Sequence, residues 1–344
     1  MSDAPAWTPD DELGDAFSVA TLPAPGTSGG PRNHGGAVPP RVTLVRAAAG
    51  RLGGDDGTRP RAVVLHVHGY NDYFFQAHLA AALTGAGYAF VAVDLRRAGR
   101  SWRPGEVPHY VDDLHEHAAD LTLAAAAARA LHPGLPLVVH AHSTGGLTAA
   151  LWAHAARRGP DGPDLLVLDS PFLDLRSSWF NRTVGTRLLD AVGPYAALRP
   201  MTNAPSVYAT HQHVSGGGRW EFDTALKRPE GLPVRAGWLR AVRRGQARVE
   251  RGLDVAAPVL VARSARSGPD REGNPDLDRE DTVLDVRSIA RLAPRLGHDV
   301  TELVVDGGVH DLTLSADGPR AAYLDGVLSW AGERLAAPRP GTAR

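Results

Sequence analysis

The stretch LPLVVHAHSTGG (residues 135–146) decides the fold of this chain. Its apolar part, LPLVVHA (135–141), is typical of a buried strand, and a predicted helix begins directly after it, at Ser143. A serine at a sharp strand-to-helix turn predicts a nucleophile elbow, which lifts Oγ above the edge of the sheet. The pattern G-x-S-x-G is present as Ala141-His142-Ser143-Thr144-Gly145, with alanine in the first position. The alternative is that Ser143 only caps an ordinary helix.

On both sides of this stretch, predicted strands alternate with predicted helices. Strands are predicted at 42–46, 61–67, 88–94, 164–169, 258–264 and 299–306, and helices at 76–86, 111–132, 143–158, 285–296 and 321–335. This alternation indicates an α/β fold, with a mostly parallel sheet covered by helices on both faces.

The alternation divides the chain into a core and an insertion. Residues 41–171 and 251–337 form the predicted core. The aromatic-rich residues 172–250 interrupt it, and we interpret them as an inserted helical cap. Residues 1–40 are rich in proline, glycine and serine, which predicts a flexible N-terminal arm, and residues 338–344 form a tail.

Composition excludes several classes of protein. The 344 residues carry a formal net charge of −1, which gives no overall basic field for nucleic acid, and we read the arginines between Arg240 and Arg251 as one solvated helical face. Without cysteine, disulfides, thiol nucleophiles and thiolate zinc sites are excluded. The longest stretch of low polarity, Leu121–Leu131, is too short for stable membrane insertion. We expect a cytoplasmic protein, and the sequence leaves its oligomeric state open.

Two further segments add to the interpretation of Ser143. The strand at 61–67 runs into His68-Gly69-Tyr70, where this architecture places an oxyanion donor, so the predicted donors are the backbone N–H groups of Tyr70 and Thr144. The last strand runs into Gly308-Val309-His310, and a histidine in this loop is the expected general base for Ser143. Each segment also has a plain interpretation, as a glycine turn or a solvated histidine.

The third member of a triad is an acid between the serine and the histidine in chain order. We choose Asp281, which we expect to open the helix that precedes the last strand. The competitor is Asp270, which lies closer to the end of strand 258–264 but within a segment rich in glycine, proline and charge. Asp281 could also be a helix cap and nothing more.

These segments together resemble the α/β-hydrolase fold, and more narrowly the serine aminopeptidase S33 group with the lysophospholipases and monoacylglycerol lipases. The similar segments are VVLHVHGYND (63–72), VAVDLRRAGRS (91–101), HSTGG (142–146), DTVLDV (281–286) and GGVHDLTLS (307–315). The resemblance implies a Ser143–Asp281–His310 triad, an oxyanion hole at Tyr70 and Thr144, and a cap over an acyl pocket. Ala141 and a long 264–281 loop depart from the family pattern, and the second departure puts the acid in question.

Aromatic residues are the predicted substrate-binding groups. We expect the cap to lie over the carboxyl ends of the strands, because open α/β sheets bind ligands there. The predicted substrate-binding residues are Phe74, Trp179, Tyr208 and Trp220. The residues Tyr73 to Phe75 either wall the acyl pocket or pack the following helix.

The sequence also contains two His-x-His pairs, His66 with His68 and His140 with His142. Alternation along a strand puts each pair on one face, which is compatible with a metal site. We prefer the structural interpretation, since no acidic residue at a matching strand position completes a ligand set, and we predict neither a metal nor a cofactor.

The predicted function is hydrolysis of a carboxylic ester with a lipid-like or apolar acyl group through an acyl-enzyme on Ser143. Two alternatives stay open. The same triad serves an aminopeptidase or amidase, for which Glu221, Asp223 and Glu230 of the cap would be available to a substrate amine. The other is a hydrolase-like binding protein without activity, which the intact serine, histidine and candidate aspartate argue against.

Overall fold

The structure is a computed structural model, and it describes residues 6–26, 39–48, 51–52, 59–175, 196–202 and 206–337. The strands in these residues are β1 (Thr8–Asp10), β2 (Gly14–Pro23), β3 (Arg41–Ala47), β4 (Val63–Val67), β5 (Ala89–Asp94), β6 (Leu137–His142), β7 (Leu165–Asp169), β8 (Pro200–Thr202), β9 (Val234–Arg235), β10 (Val259–Ser264) and β11 (Val300–Val305). The helices are α1 (Ala77–Gly85), α2 (Leu114–Leu131), α3 (Ser143–Ala156), α4 (Val207–Gln212), α5 (Ala236–Glu250), α6 (Val286–Leu292) and α7 (Asp317–Ala336).

Nine of these strands form one sheet in the order β1-β2-β3-β5-β4-β6-β7-β10-β11. The six strands from β5 to β11 in this order run parallel, and β3 joins them antiparallel through β5. The predicted α/β fold with a mostly parallel sheet is therefore confirmed.

The sheet is buried on both faces, which explains why its strands are apolar runs without clear alternation. In β4, Val63, Leu65 and Val67 pack in the core on one face of the sheet, together with residues of α2 and α3. Val64 points to the other face and packs in a second core with residues of α1 and α7. The same alternation places the polar His66 on the side of the second core.

The prediction of a flexible arm for residues 1–40 is wrong for residues 8–23. β1 and β2 pair antiparallel, and β2 continues the sheet along the whole of β3. Phe17 and Ala20 are buried there, and an ion pair of 2.6 Å joins Asp10 Oδ2 to Arg100 Nη2. Pairing with β3 supplies the hydrogen bonds of this strand, and a weak local pattern cannot indicate such a tertiary contact.

The described part of the insertion reaches both the helical layer and the carboxyl edge of the sheet. α5 packs on α2 and α3 at Gly245, where a Cβ would lie 2.9 Å from side-chain carbons of Leu114 and Leu151. The residues before α5 contact the loop after β4, for example through a hydrogen bond of 3.1 Å from Tyr70 Oη to the carbonyl oxygen of Pro233. The bounds of the cap, 172 and 250, remain a prediction.

No helix in the described residues is both long enough and apolar enough to cross a membrane.

Candidate active site

Ser143 occupies the turn between β6 and α3 in a strained backbone conformation. Its φ is +52°, in the left-handed region that residues with a side chain seldom adopt. Gly145 lets the helix start this close to the β4 loop, because a Cβ there would lie 2.3 Å from the carbonyl oxygen of His68. The surrounding backbone therefore holds the serine in a conformation that it would not choose by itself.

The loop after β4 lies beside this turn. A Cβ at Gly69 would lie only 3.1 Å from Cβ of Ser143, so the backbone before Tyr70 closely approaches the serine. Thr144 is in the first turn of α3, where backbone N–H groups have no acceptor within the helix. Both predicted donors thus belong to segments next to Ser143, and their role in an oxyanion hole remains a prediction.

A chain of two hydrogen bonds joins the three predicted triad residues. His310, in the loop after β11, has Nε2 at 3.0 Å from Ser143 Oγ and Nδ1 at 3.0 Å from Asp281 Oδ2. All three side chains are buried. This arrangement lets the imidazole take a proton from the serine while the carboxylate holds Nδ1–H.

Asp281 is held by the backbone on its other side. Its Oδ1 accepts hydrogen bonds from the N–H groups of Val283 and Leu284, at 2.9 and 2.7 Å. The expectation that Asp281 opens a helix is wrong, since α6 begins at Val286 and is capped by Asp285. The carboxylate instead closes a turn with N–H groups near it in sequence, a local alternative to the helix cap.

The position of Asp281 comes from an extension of β10. Asp281 forms an isolated parallel bridge with Ser267, so that its backbone lies next to the end of this strand. Asp281 N donates to Arg266 O at 2.9 Å, and Gly268 N donates to Asp281 O at 3.0 Å. Residues 269–280, which we call the β10 excursion, leave the sheet and return to it at this bridge.

The competing acid, Asp270, has different partners. Its Oδ1 accepts from Tyr208 N at 2.7 Å and its Oδ2 from Ser206 Oγ at 2.9 Å, so it binds the first turn of α4. The structure therefore brings Asp281, and not Asp270, to His310.

The predicted substrate-binding residues fall in different places. Tyr208 is buried beside His310, with ring centroids 6.0 Å apart, and its hydroxyl accepts from Asp311 N at 3.0 Å. Trp220 stacks on His78 and donates from Nε1 to Leu314 O, which joins the cap to the segment after His310. Trp179 lies outside the described residues.

Phe74 corrects the prediction for the loop after β4. Its side chain has no exposed surface, and its ring contacts the rings of Phe17 and Phe90 in the second core. Its backbone N–H donates to Asp94 Oδ1 at 2.9 Å. Phe74 is thus a core residue and not a substrate-binding residue, because its ring is fully buried in the second core.

Hydrogen-bonding partners within the fold hold three histidines of the two His-x-His pairs, namely His66, His68 and His140. Nδ1 of His66 and Nδ1 of His140 lie 2.9 Å apart across neighbouring strands, and His140 Nε2 is 2.7 Å from Tyr323 Oη. His68 is held between Gly69 O and Leu95 N. Burial lowers the pKa of His140 to about 4, so this ring is neutral at pH 7.

A buried charged cluster lies directly behind the triad, and sequence reasoning missed it. Asp72, His142 and Asp311 each place one polar atom within 4.8 Å of the others, and the Lys227 ammonium is 2.9 Å from Asp72 Oδ1. Burial lowers the pKa of His142 to about 4. An acid two residues after Tyr70 was the available signal, but nothing in the sequence pairs it with Lys227.

Asp311 of this cluster and the neighbouring Asp169 have opposite pKa shifts. Burial raises the pKa of Asp169 well above its ordinary value, and the neighbouring Asp311 carboxylate adds to this. Burial opposes ionisation of Asp311 as well, but His142, Lys227 and the Thr313 hydroxyl outweigh it and lower its pKa. These opposite shifts make Asp311 the member of the pair that ionises first.

Comparisons with known proteins show the family of this chain. Residues 58–266 match the family model "Serine aminopeptidase, S33". Over 277 residues the chain is 28% identical to a monoacylglycerol lipase of Mycolicibacterium smegmatis, covering 79% of this chain and 89% of that protein.

Two solved structures have a similar fold. One is the monoacylglycerol lipase of Paleococcus ferrophilus, with a TM-score of 0.60, 18% identity, and coverage of 80% of this chain and 96% of that one. The other is a soluble variant of the monoglyceride lipase of Saccharomyces cerevisiae in complex with a substrate analog. Its TM-score is 0.65 at 14% identity, with coverage of 92% and 100%. At these identities the likeness concerns the fold.

Proposed function

The chain belongs to the serine aminopeptidase S33 family, and from this premise we propose that it is a serine hydrolase that cleaves carboxylic esters with a lipid-like or apolar acyl group. The observation that carries the proposal is the hydrogen-bonded chain from Ser143 Oγ through His310 to Asp281, with both distances at 3.0 Å. Nucleophile, base and orienting carboxylate are within hydrogen-bond reach without any rearrangement.

The reaction proceeds in two halves through an acyl-enzyme. Ser143 Oγ forms a bond to the ester carbonyl carbon as its proton passes to His310 Nε2, and the carbonyl oxygen becomes an oxyanion. His310 then gives this proton to the alcohol oxygen as the bond between carbon and that oxygen breaks. Water repeats the sequence on the acyl-enzyme, with His310 again as base, and releases the acid.

The groups around Ser143 and His310 each have a proposed role in these steps. Asp281 stays ionised and accepts from Nδ1–H, which leaves Nε2 free to accept the serine proton. The N–H groups of Tyr70 and Thr144 are the proposed donors to the oxyanion. Tyr208 lies against His310 and is the proposed contact for the substrate at the base.

An ester is favoured over a peptide as substrate. The M. smegmatis relative is named a monoacylglycerol lipase, which supports a lipid-like acyl group. An aminopeptidase needs a carboxylate for the substrate amine inside the site. The three cap acids that are candidates to bind such an amine are all exposed, namely Glu221, Asp223 and Glu230. Asp223 Oδ1 also accepts a hydrogen bond from Ala225 N.

The deciding experiment compares substrates on one plate. The purified protein is assayed on p-nitrophenyl esters of graded chain length, on monoacylglycerols and on aminoacyl p-nitroanilides. We expect ester turnover that Ser143→Ala abolishes, together with fluorophosphonate labelling that the same variant loses. The control is Ser329→Ala, which removes an exposed hydroxyl of α7 and should leave turnover unchanged. Turnover of anilides alone, or full activity of Ser143→Ala, contradicts the proposal.

A further inference from the structure

The loop that carries Tyr70 is attached to the cap along most of its length. We call residues 69–75 the oxyanion loop and residues 222–233 the cap strap. Asn71 makes two hydrogen bonds to the backbone of Arg228, from Nδ2 to the carbonyl oxygen at 2.8 Å and to Oδ1 from the N–H group at 3.1 Å. Tyr70 Oη donates to Pro233 O at 3.1 Å. The first half of the oxyanion loop is thus fixed to the second half of the strap.

The second half of the oxyanion loop is fixed to the first residues of the strap. Tyr73 Oη accepts from Asp223 N at 2.8 Å, and the rings of Phe75 and Phe222 lie 5.0 Å apart. Five of the six residues from Tyr70 to Phe75 therefore contact the strap, counting the ion pair of Asp72. A loop held at this many points has little freedom to move during the reaction.

The contact between loop and strap includes an ion pair. Its cation is Lys227, the sole lysine of the sequence. Its ammonium is 2.9 Å from Asp72 Oδ1, with only 8% and 4% of the two side chains exposed. The rings of Phe75 and Phe222 lie 4.7 and 5.2 Å from Nζ. Removing one partner of such a pair leaves a buried charge uncompensated, which makes the pair a strong constraint on both segments.

The ion pair of Lys227 and Asp72 lies next to the segments that carry Ser143 and His310. Asp72 belongs to the cluster with His142 and Asp311, which are the sequence neighbours of Ser143 and His310. Asp72 Oδ2 is also 3.5 Å from the N–H group of Gly69, the residue whose backbone approaches the serine. Asp72 thus contacts the backbone of Gly69, the residue directly before Tyr70.

We propose that Lys227 is a positioning residue for the oxyanion hole, acting through Asp72. The ion pair fixes the oxyanion loop so that the N–H group of Tyr70 points at the oxygen that becomes negative in the transition state. This proposal rests on the proposed function, because it assigns Lys227 to the same reaction. Its effect falls on the transition state more than on substrate binding, since the donor gains strength only as the charge develops.

The test measures kinetics and the affinity for a transition-state analogue together. We expect Lys227→Met to lower kcat by about tenfold to a hundredfold, somewhat less than the loss of one whole oxyanion donor, with KM changed less than about twofold. The inhibition constant of a trifluoromethyl ketone with the same acyl group should weaken by the same factor as kcat/KM. Rates are expressed per active site titrated with fluorophosphonate, so that loss of folded protein does not enter.

Two further variants separate positioning from folding. Arg228→Met changes the neighbouring side chain of the strap but keeps the backbone bonds to Asn71, and it should leave both constants within about twofold. Asp72→Asn together with Lys227→Met should lose no more activity than Lys227→Met alone, because both changes remove one interaction. If Lys227→Met does not fold, Lys227→Arg is measured instead. Its larger planar group keeps the charge but not the position, so a fall in kcat of about fivefold or more is expected.

The outcomes are distinguishable from a failure of the proposed function. A wild-type protein without ester turnover and without labelling at Ser143 overturns both the function and the inference. A wild-type protein that is active, with Lys227 variants of normal kcat and normal analogue affinity per titrated site, overturns the role of Lys227 alone. A fall in melting temperature with unchanged kinetics also does so, because it assigns the pair to stability.

Discussion

Replacing Asp281 by asparagine gives the sharpest test of the proposed triad. The structure fixes how the new amide must sit. Val283 N and Leu284 N donate to Oδ1 at 2.9 and 2.7 Å, so an oxygen has to remain in that place. The amide nitrogen then takes the place of Oδ2 and presents a donor to His310 Nδ1.

A donor at this position reverses the tautomer of the imidazole. Nδ1 of His310 becomes the acceptor, Nε2 carries the hydrogen, and the ring can no longer take the proton of Ser143. The same error in a serine-protease triad costs about 10⁴ in kcat. We expect a loss of that order in kcat for Asp281→Asn, which is roughly 5 kcal/mol in activation free energy.

The assay is hydrolysis of the best p-nitrophenyl ester, with kcat referred to titrated active sites and the melting temperature followed in parallel. Asp270→Asn is the matched control, because this carboxylate holds Tyr208 N and Ser206 Oγ rather than the imidazole. We expect it to keep kcat within about threefold. Asp281→Asn with more than about a tenth of wild-type kcat would falsify the assignment, and so would a loss of about a hundredfold in Asp270→Asn.

Three other predictions follow from packing and protonation. Gly145→Ala places a Cβ 2.3 Å from a backbone carbonyl oxygen and should lower the free energy of unfolding by about 3 kcal/mol or more. Gly85→Ala is the control, because the space around Gly85 is open, and it should change this free energy by less than about 1 kcal/mol. Urea titrations measure both variants. The folded-state pKa of His140 is about 4, below its ordinary 6.5, so between these values only the unfolded chain binds the proton. The free energy of unfolding should therefore fall by about 3 kcal/mol per such ring from pH 7 to pH 4, and His140→Gln should flatten this slope. Tyr208→Phe removes the acceptor of Asp311 N and should lower kcat severalfold without changing the fold, which kinetics and circular dichroism check together.

The sheet and the serine were predictable from sequence because their signals are local. A buried parallel strand is a continuous apolar run, and the turn at Ser143 is encoded by its neighbours Ala141 and Gly145. Within residues 41–171 and 251–337, the predicted order of strands and helices agrees with the structure for the same reason. β2 was missed because its stability comes from pairing with β3, in which the paired residues are 18 (Pro23 and Arg41) to 30 (Phe17 and Ala47) positions apart in sequence.

The site residues divide along the same line. His310 and Ser143 follow predicted strands directly, so their places at the sheet edge come from the topology. Asp281 was chosen for its distance from His310 in sequence and for a helix start that the structure does not contain. Lys227 gave no signal, because its importance arises only when the insertion folds onto the loop after β4.

The position of Asp281 at the base of the β10 excursion has a consequence for protein engineering. The β10 excursion begins and ends at the bridge between Ser267 and Asp281, so the position of the Asp281 carboxylate does not depend on the length of the excursion. Residues 271–273 at its tip are exposed, and Gly273 already turns there with a φ of +73°. Closing a longer loop at a fixed base costs little, because the entropy grows only with the logarithm of its length. A reporter peptide or a small domain can therefore be spliced in after Glu272 while the acid keeps its register with His310.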